Sequence, residues 1–121
     1  MPSDITITRT YVVQERDVFL AVTIGDGQQG RSSVLLDKKE ILRTSPPFSK
    51  FLIGAGPDLV GKTLTIRTVV NDVVATTNRM SVTYALSGGP SADKFTSKGT
   101  VRHDNDFLSF EAAVTFTQQE S

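Results

Sequence analysis

Cysteine and tryptophan are absent from this chain of 121 residues, which contains one histidine and two tyrosines. Without cysteine, the chain has no disulfide, no thiolate nucleophile and no cysteine-based zinc site. Without tryptophan, it also lacks much of the aromatic surface on which sugars and nucleic-acid bases stack. Carbohydrate binding and single-stranded nucleic-acid binding are therefore poorly supported functions.

Neither sign of charge dominates, because 13 basic side chains balance 13 acidic ones. The basic residues are scattered, and the pair Lys38 and Lys39 is followed directly by Glu40. Nucleic-acid binding depends on clustered lysine and arginine, so we expect no nucleic-acid partner. The apolar runs are far shorter than the roughly 20 residues that span a bilayer, which predicts no membrane insertion.

The first residues of the sequence contain no basic segment followed by an apolar run, which is the pattern of a Sec signal. The lack of cysteine does not distinguish one compartment from another. A cytoplasmic, soluble protein is therefore the expectation, and export without a signal is the alternative.

Threonine and valine, the two most frequent residues, favour the half-buried surface of a β-strand. The apolar residues also follow the two-residue period of strands, most clearly near the end of the sequence, where five even-numbered positions are apolar: Leu108, Phe110, Ala112, Val114 and Phe116. This alternation is typical of antiparallel strands that have one face on a core. It predicts strands at residues 5–13, 18–24, 31–36, 48–53, 63–70, 80–86, 95–103 and 107–117.

Segments rich in glycine, proline, asparagine and aspartate separate these strands and supply the turns. One or two helical turns are expected near residues 37–43, with Asp37 as the N-cap and Pro46 and Pro47 beyond the end. We therefore predict one all-β domain over residues 1–121, an antiparallel β-sandwich of immunoglobulin-like or jelly-roll type with about seven or eight strands. A small closed barrel is the alternative architecture.

The last two predicted strands are expected to form a hairpin. A two-residue turn at residues 104–105 would place Gly99 opposite Phe110, whose ring would fill the space that the glycine leaves. The same register would place Lys98 opposite Glu111 on the solvent face. A turn shifted by one residue gives the alternative register, which also keeps the apolar side chains on the core face.

Residues 56–63, GPDLVGKT, match the P-loop pattern G-x-x-x-x-G-K-[ST]. That motif binds phosphate where a helix begins at the lysine and the hydroxyl residue. The residues after Thr63 alternate as a strand does, and the chain shows no series of strand–helix units. We interpret the segment as a loop that leads into a strand.

His103 lies beside Asp104 and Asp106, which makes this the one place where histidine and carboxylates meet in the sequence. A metal site would need a second histidine, or the glycine and distal glutamate of a calcium loop. Catalysis would need a nucleophile brought near in space. A turn explains these short polar residues more simply, so we assign no catalytic, cofactor-binding or metal-binding residue.

Several other features have both a functional and a structural explanation. Five charged residues could contribute to a binding site, but charges also discourage edge pairing of strands: Asp26, Asp58, Arg67, Arg79 and Arg102. Residues 48–53 could form an exposed apolar patch, but an ordinary core segment is favoured. Threonines at alternate positions are similar to the ladders of ice-binding solenoids, but without repeats they are better explained as solvent-facing strand residues.

The sequence thus predicts a non-enzymatic binding or assembly module without a cofactor. It would act through strand edges or loops, on a protein partner or by self-association. The second hypothesis is a β-barrel that holds an apolar small ligand. The third is a hydrolase-type enzyme centred on His103.

Overall fold

The structure, a computed structural model, describes residues 4–25, 27–71, 79–101 and 107–118. Alternating β-branched, aromatic and polar residues form nine strands in this part of the chain, and one four-residue helix lies between two of them. None of its helices is long and apolar enough to cross a membrane. In chain order the elements are β1 (Asp4–Val13), β2 (Asp17–Ile24), β3 (Gln29–Leu36), β4 (Lys39–Thr44), β5 (Phe48–Ala55), α1 (Gly56–Leu59), β6 (Thr63–Asn71), β7 (Arg79–Ser87), β8 (Asp93–Thr100) and β9 (Phe107–Gln118).

The strands form two sheets that enclose a shared core. Five strands form one sheet in the order β1-β9-β6-β3-β4, and four form the other in the order β5-β2-β7-β8. All neighbouring strands of the described chain are antiparallel except β1 and β9, which run parallel. The predicted β-sandwich is confirmed. The described strands do not close into a barrel, so the barrel alternative is wrong.

Side chains from both sheets fill one apolar core. From Leu108 to Phe116 of β9 the even-numbered residues are buried and the odd-numbered residues are not, as the two-residue period predicts. Residues of both sheets are buried in this one cluster, among them Leu20, Val82, Tyr84, Phe110 and Phe116. The sandwich is therefore held by apolar packing between its two layers.

The predicted helix near residues 37–43 is wrong. Asp37 and Lys38 have positive φ angles of 48° and 72°, and they form a two-residue turn between β3 and β4. A type I′ hairpin turn has positive φ at both central residues, and aspartate tolerates this conformation better than most residues. Asp37 caps no helix, because its Oδ1 accepts a hydrogen bond from the backbone N–H of Thr63 at 2.9 Å.

The predicted C-terminal hairpin is also wrong, because β8 and β9 lie in different sheets. β8 pairs with β7, whereas β9 pairs with β1 and β6. Phe110 does lie beside Gly99, but across the sandwich: a Cβ on the glycine would lie 3.6 Å from Phe110 Cζ and still closer to the side chains of Ile5 and Leu108. Lys98 and Glu111 are in separate sheets, and Glu111 forms an ion pair with Arg67 instead.

Candidate functional site

The segment that resembles a P-loop forms a corner between the two sheets. Its first half is α1, and its last residue, Thr63, begins β6. Gly56 lies against the carbonyl oxygen of Gln14, where a Cβ would collide. The carbonyl oxygen of Lys62 accepts a hydrogen bond from the N–H of Phe116 at 3.1 Å, so the chain has already joined the sheet at this lysine. The predicted strand after the motif is confirmed, and no helix begins at Lys62.

The histidine cluster of the sequence lies outside the described part of the chain. His103, Asp104 and Asp106 belong to residues 102–106, and Asp26 and Arg102 are likewise outside the described residues. Within the described ranges, no three histidine, aspartate or glutamate side chains come close enough to hold a metal ion. The hypothesis of an enzyme centred on His103 stays a prediction.

A pocket of about 220 Å³ lies where the end of β1, helix α1 and the end of β9 meet. Small-molecule sites are usually larger, from roughly 300 Å³, and mostly apolar. This pocket is lined equally by apolar and polar residues: Val13, Pro57 and Val60 with Gln14, Glu15 and Gln118. Its size and mixed lining give little support to an apolar ligand.

The three charged residues that were singled out in the sequence and lie in the described ranges do not converge on one site. Asp58 is exposed in α1, and Arg79 begins β7 in the four-stranded sheet. Arg67 Nε donates to Glu111 Oε1 at 2.9 Å, on the outer face of the five-stranded sheet. Because this ion pair joins the interior strands β6 and β9, Arg67 does not protect an edge, contrary to expectation.

Residues 48–53 belong to β5 and form mainly a core segment, as favoured from the sequence. Ile53 is buried, and the rings of Phe48 and Phe51 pack against the core with their centroids 6.3 Å apart. Leu52 points outward opposite Phe19 and is 50% exposed. A single exposed leucine of this kind is normal on a protein surface.

Tyr84 places a hydroxyl inside the core, where it has no hydrogen-bond partner among the described residues. Burial raises the pKa of Tyr84, and the nearby Thr68 hydroxyl offsets only part of that shift. The Thr68 hydroxyl is paired with Ser32, whose Oγ lies 2.7 Å from Thr68 Oγ1. The Tyr84 hydroxyl affects stability and lies away from the protein surface.

The described strands leave four sheet edges without a further partner strand, and three of these edges carry features that hinder pairing with another strand. β4 is six residues long, is charged at three of those positions and shifts register against β3. β5 shifts register twice against β2 and has a positive φ of 53° at Lys50. β8 exposes Lys94 and Lys98. The fourth edge, β1, pairs with β9 over ten residues without interruption.

β1 also lacks the residues that usually protect an edge. Between Ile5 and Val13 it contains no proline, glycine or lysine, and its one charged residue there is Arg9. The Arg9 guanidinium lies over the Phe95 ring of β8, with Cζ 4.8 Å from the ring centroid. The charge is therefore directed toward the other sheet of the sandwich rather than along the edge.

Alternate backbone groups of β1 face away from β9. On the side of β9 that faces β6, Phe116 exchanges backbone hydrogen bonds with Gly61 and Lys62, which directly precede β6. The backbone groups of even-numbered β9 residues therefore point toward β6, and those of odd-numbered residues point toward β1. In a parallel pair, a residue of one strand bonds to the two residues that flank its partner on the other strand. A β1 residue that bonds to two odd-numbered β9 residues therefore lies opposite the even-numbered residue between them. Arg9, which lies opposite Val114, has this geometry, as do the other odd residues of β1. The N–H and C=O groups that point to the open side thus include those of Thr6, Thr8 and Thr10.

Among the described residues, none pairs with positions 4–10 on this open side of β1, and a turn covers the rest. The hydroxyl of Tyr11 donates to the carbonyl oxygen of Ser91 at 2.9 Å and accepts from the N–H of Gly89 at 3.0 Å. Gly89 also lies against the carbonyl oxygen of Val12 with no room for a Cβ. This contact agrees with the outward direction of the even-numbered groups. We refer to the open residues 4–10 as the β1 edge.

Comparison of the chain with family models, curated proteins and solved structures gave no match. The sequence indicated strand edges or loops as means of contact but did not indicate that β1 is an edge. The only signal in the sequence was a ten-residue strand pattern with few charges and no proline, glycine or lysine after Asp4. The candidate site therefore rests on the geometry of the β1 edge.

Proposed function

We propose that the chain is a non-enzymatic binding or assembly module that recruits a protein partner through the β1 edge. The partner adds an extended strand to the five-stranded sheet and forms backbone hydrogen bonds with Thr6, Thr8 and Thr10. In strand addition of this kind, main-chain hydrogen bonds supply affinity and alternate side chains supply specificity. The observation that carries the proposal is the contrast between β1 and the three protected edges.

A long and regular edge strand is a template for pairing, because its free N–H and C=O groups have a fixed spacing. Thr6, Thr8 and Thr10 are exposed, and their β-branched side chains suit a sheet surface. We also propose that the sandwich is immunoglobulin-like. The support for this description is the packing of a five-stranded sheet on a four-stranded one.

Photo-crosslinking in cells that produce the protein tests this proposal. A photoreactive amino acid replaces Thr8, whose side chain is exposed on the outer face of the β1 edge. The matched control is the same replacement at Thr65, because both threonines flank Ala113 in one row and Thr65 lies two strands further into the sheet. Illumination should give a discrete protein adduct from position 8 and none from position 65.

Mass spectrometry of the adduct then identifies the protein that is bound. Either a second copy of the chain or a different protein at position 8 agrees with the proposed function. Equal yields from positions 8 and 65, or no adduct at position 8, would show that the β1 edge recruits nothing.

A further inference from the structure

We infer that the protein on the β1 edge is a second copy of this chain, paired antiparallel with β1 about a two-fold axis at Ile7. This inference rests on the proposed function, because it names the partner of the same edge. The five-stranded sheets of the two copies then join into one continuous sheet. Closed two-fold dimers are the commonest form of symmetric assembly, and they bring identical surfaces together.

One antiparallel register uses the whole open stretch. Residues 4–10 are centred on Ile7, so pairing Ile7 with its equivalent places Thr6 opposite Thr8 of the second copy. Even-numbered residues then face even-numbered residues, and their outward N–H and C=O groups meet as antiparallel pairing requires. The next register that keeps the faces matched is centred on Thr8. It would place residue 4 of the second copy opposite Val12. The turn that contains Gly89 already covers Val12.

The side chains on both faces of β1 suit an identical strand. On the inner face, Ile5 and Ile7 pack against the core but stay only partly buried, since none of the described strands lies beyond β1. A second copy would place Ile7 against its equivalent and cover this apolar end of the sandwich. On the outer face, Thr6 opposite Thr8 is a β-branched pair of the kind that stabilises antiparallel sheets.

Charge does not oppose this pairing. Arg9 would lie opposite Ile5 of the second copy, so the two arginines do not face each other, and the chain has no net charge. The edge of β8 gives the opposite result: pairing two copies about Thr96 would place Lys94 opposite Lys98 of the second copy. Like charges directly opposite each other destabilise a strand pair. In this register β8 therefore brings like charges together, whereas the register about Ile7 in β1 does not.

Charge substitution at two positions tests both the partner and the register. The double variant Thr6→Lys, Thr8→Lys places an ammonium opposite an ammonium twice in the dimer, and we expect the dimer Kd to rise about tenfold or more. The matched control, Thr6→Asp with Thr8→Lys, changes the same positions but places a carboxylate opposite an ammonium. It should dimerise at least as tightly as the unchanged chain. Sedimentation equilibrium over a concentration series measures all three proteins, and thermal melting checks that each variant is folded.

A concentration-dependent dimer that is lost in the double-lysine variant and kept in the charge-matched variant supports the inference. A chain that stays monomeric at every concentration overturns it, as does a dimer that both variants retain equally. Pairing about Thr6 or Thr8 would bring like charges together in both variants, so loss of both dimers overturns the register. A position-8 adduct with a different protein overturns the inference and leaves the proposed function standing, whereas no adduct at position 8 removes both.

Discussion

The five-stranded sheet ends in β4 on one side and in β1 on the other, and the two edges differ in length, regularity and charge. β4 is six residues long, and its register against β3 shifts between Val34 and Leu35. On its surface, Arg43 Nε and Glu40 Oε1 are 2.8 Å apart. β1 is ten residues long, pairs with β9 without interruption, and directs Arg9 toward the other sheet.

The difference shows two ways in which a sandwich can hold an edge strand. β4 hinders further pairing through charge and an irregular register. β1 is instead held through its inner face, because its inner residues pack on the core and the Tyr11 hydroxyl is hydrogen-bonded to the turn between β7 and β8. This support leaves the backbone N–H and C=O groups that point away from β9 without a partner strand among the described residues. Substitutions that weaken the support of β1 should therefore have larger effects than matched substitutions on the surface.

Phe110→Ala should have the largest effect on the free energy of unfolding. The ring is 1% exposed, and Phe110 lies opposite Ile5 of β1 and against Gly99 of β8. Removing a buried phenylalanine ring costs about 3–5 kcal/mol, a large part of the stability of one domain. Phe107→Ala is the control on the same strand, because Phe107 is 43% exposed, and it should cost less than about 1 kcal/mol. Urea denaturation that gave equal losses would contradict the role of Phe110 as the support of β1.

Tyr11→Phe should have the next largest effect, about 1–3 kcal/mol. The substitution removes both hydrogen bonds to the β7–β8 turn and leaves the N–H of Gly89 without its partner. Tyr84→Phe is the matched control, because it deletes a buried hydroxyl that has no partner among the described residues. That control should leave stability unchanged or slightly raised at neutral pH. Chemical unfolding compares the two, and an equal loss would show that Tyr11 does not hold β1.

Alkaline pH should separate the wild type from Tyr84→Phe. Burial raises the pKa of Tyr84 in the folded chain above that of the unfolded chain, which is about 10. The stability that comes from the protonated phenol is therefore complete below about pH 10 and is lost as the pH rises further, because the unfolded chain then binds fewer protons. By about pH 11 the wild type should lose about 1 kcal/mol more than Tyr84→Phe, relative to neutral pH. Parallel pH profiles of the two proteins would contradict the burial of this phenol.

Arg9→Ala and Arg43→Ala should give the smallest effects and compare the two edges directly. Contact between the Arg9 guanidinium and the Phe95 ring is worth about 0.5–1 kcal/mol. Arg43 forms an exposed ion pair with Glu40, and its removal should cost less than about 0.5 kcal/mol. Added salt should reduce the Arg43 effect, because exposed charges are screened. A larger loss for Arg43→Ala in replicate denaturation curves would reverse the comparison.

Most strands could be predicted from the sequence, because the two-residue alternation of apolar residues depends only on local geometry. The alternation does not reveal which strands lie side by side. Phe110 lies beside Gly99 both in the predicted hairpin and in the observed sandwich, so this correct contact could not distinguish pairing within a sheet from packing between sheets. The hairpin turn at Asp37 and Lys38 was missed because positive φ at a lysine has no sequence signal, whereas Asp37 also suits a helix N-cap.

The candidate site could be predicted only in part. Thr6, Thr8 and Thr10 were expected to face solvent, and they do. That β1 is an edge follows from its pairing with β9 alone among the described strands, and the position of Gly89 beside Val12 limits the open stretch. Both features join residues that are far apart in sequence, so no local pattern of β1 contains them.

The parallel pairing of β1 with β9 also has a consequence for synthesis on the ribosome. Asp4 lies opposite Ser109 and Val13 opposite Gln118, so nearly the whole described chain separates the two strands. Contacts between distant residues form late, because the entropy of closing the intervening loop must be overcome first. A nascent chain therefore exposes β1 without its sheet partner until β9 has left the exit tunnel.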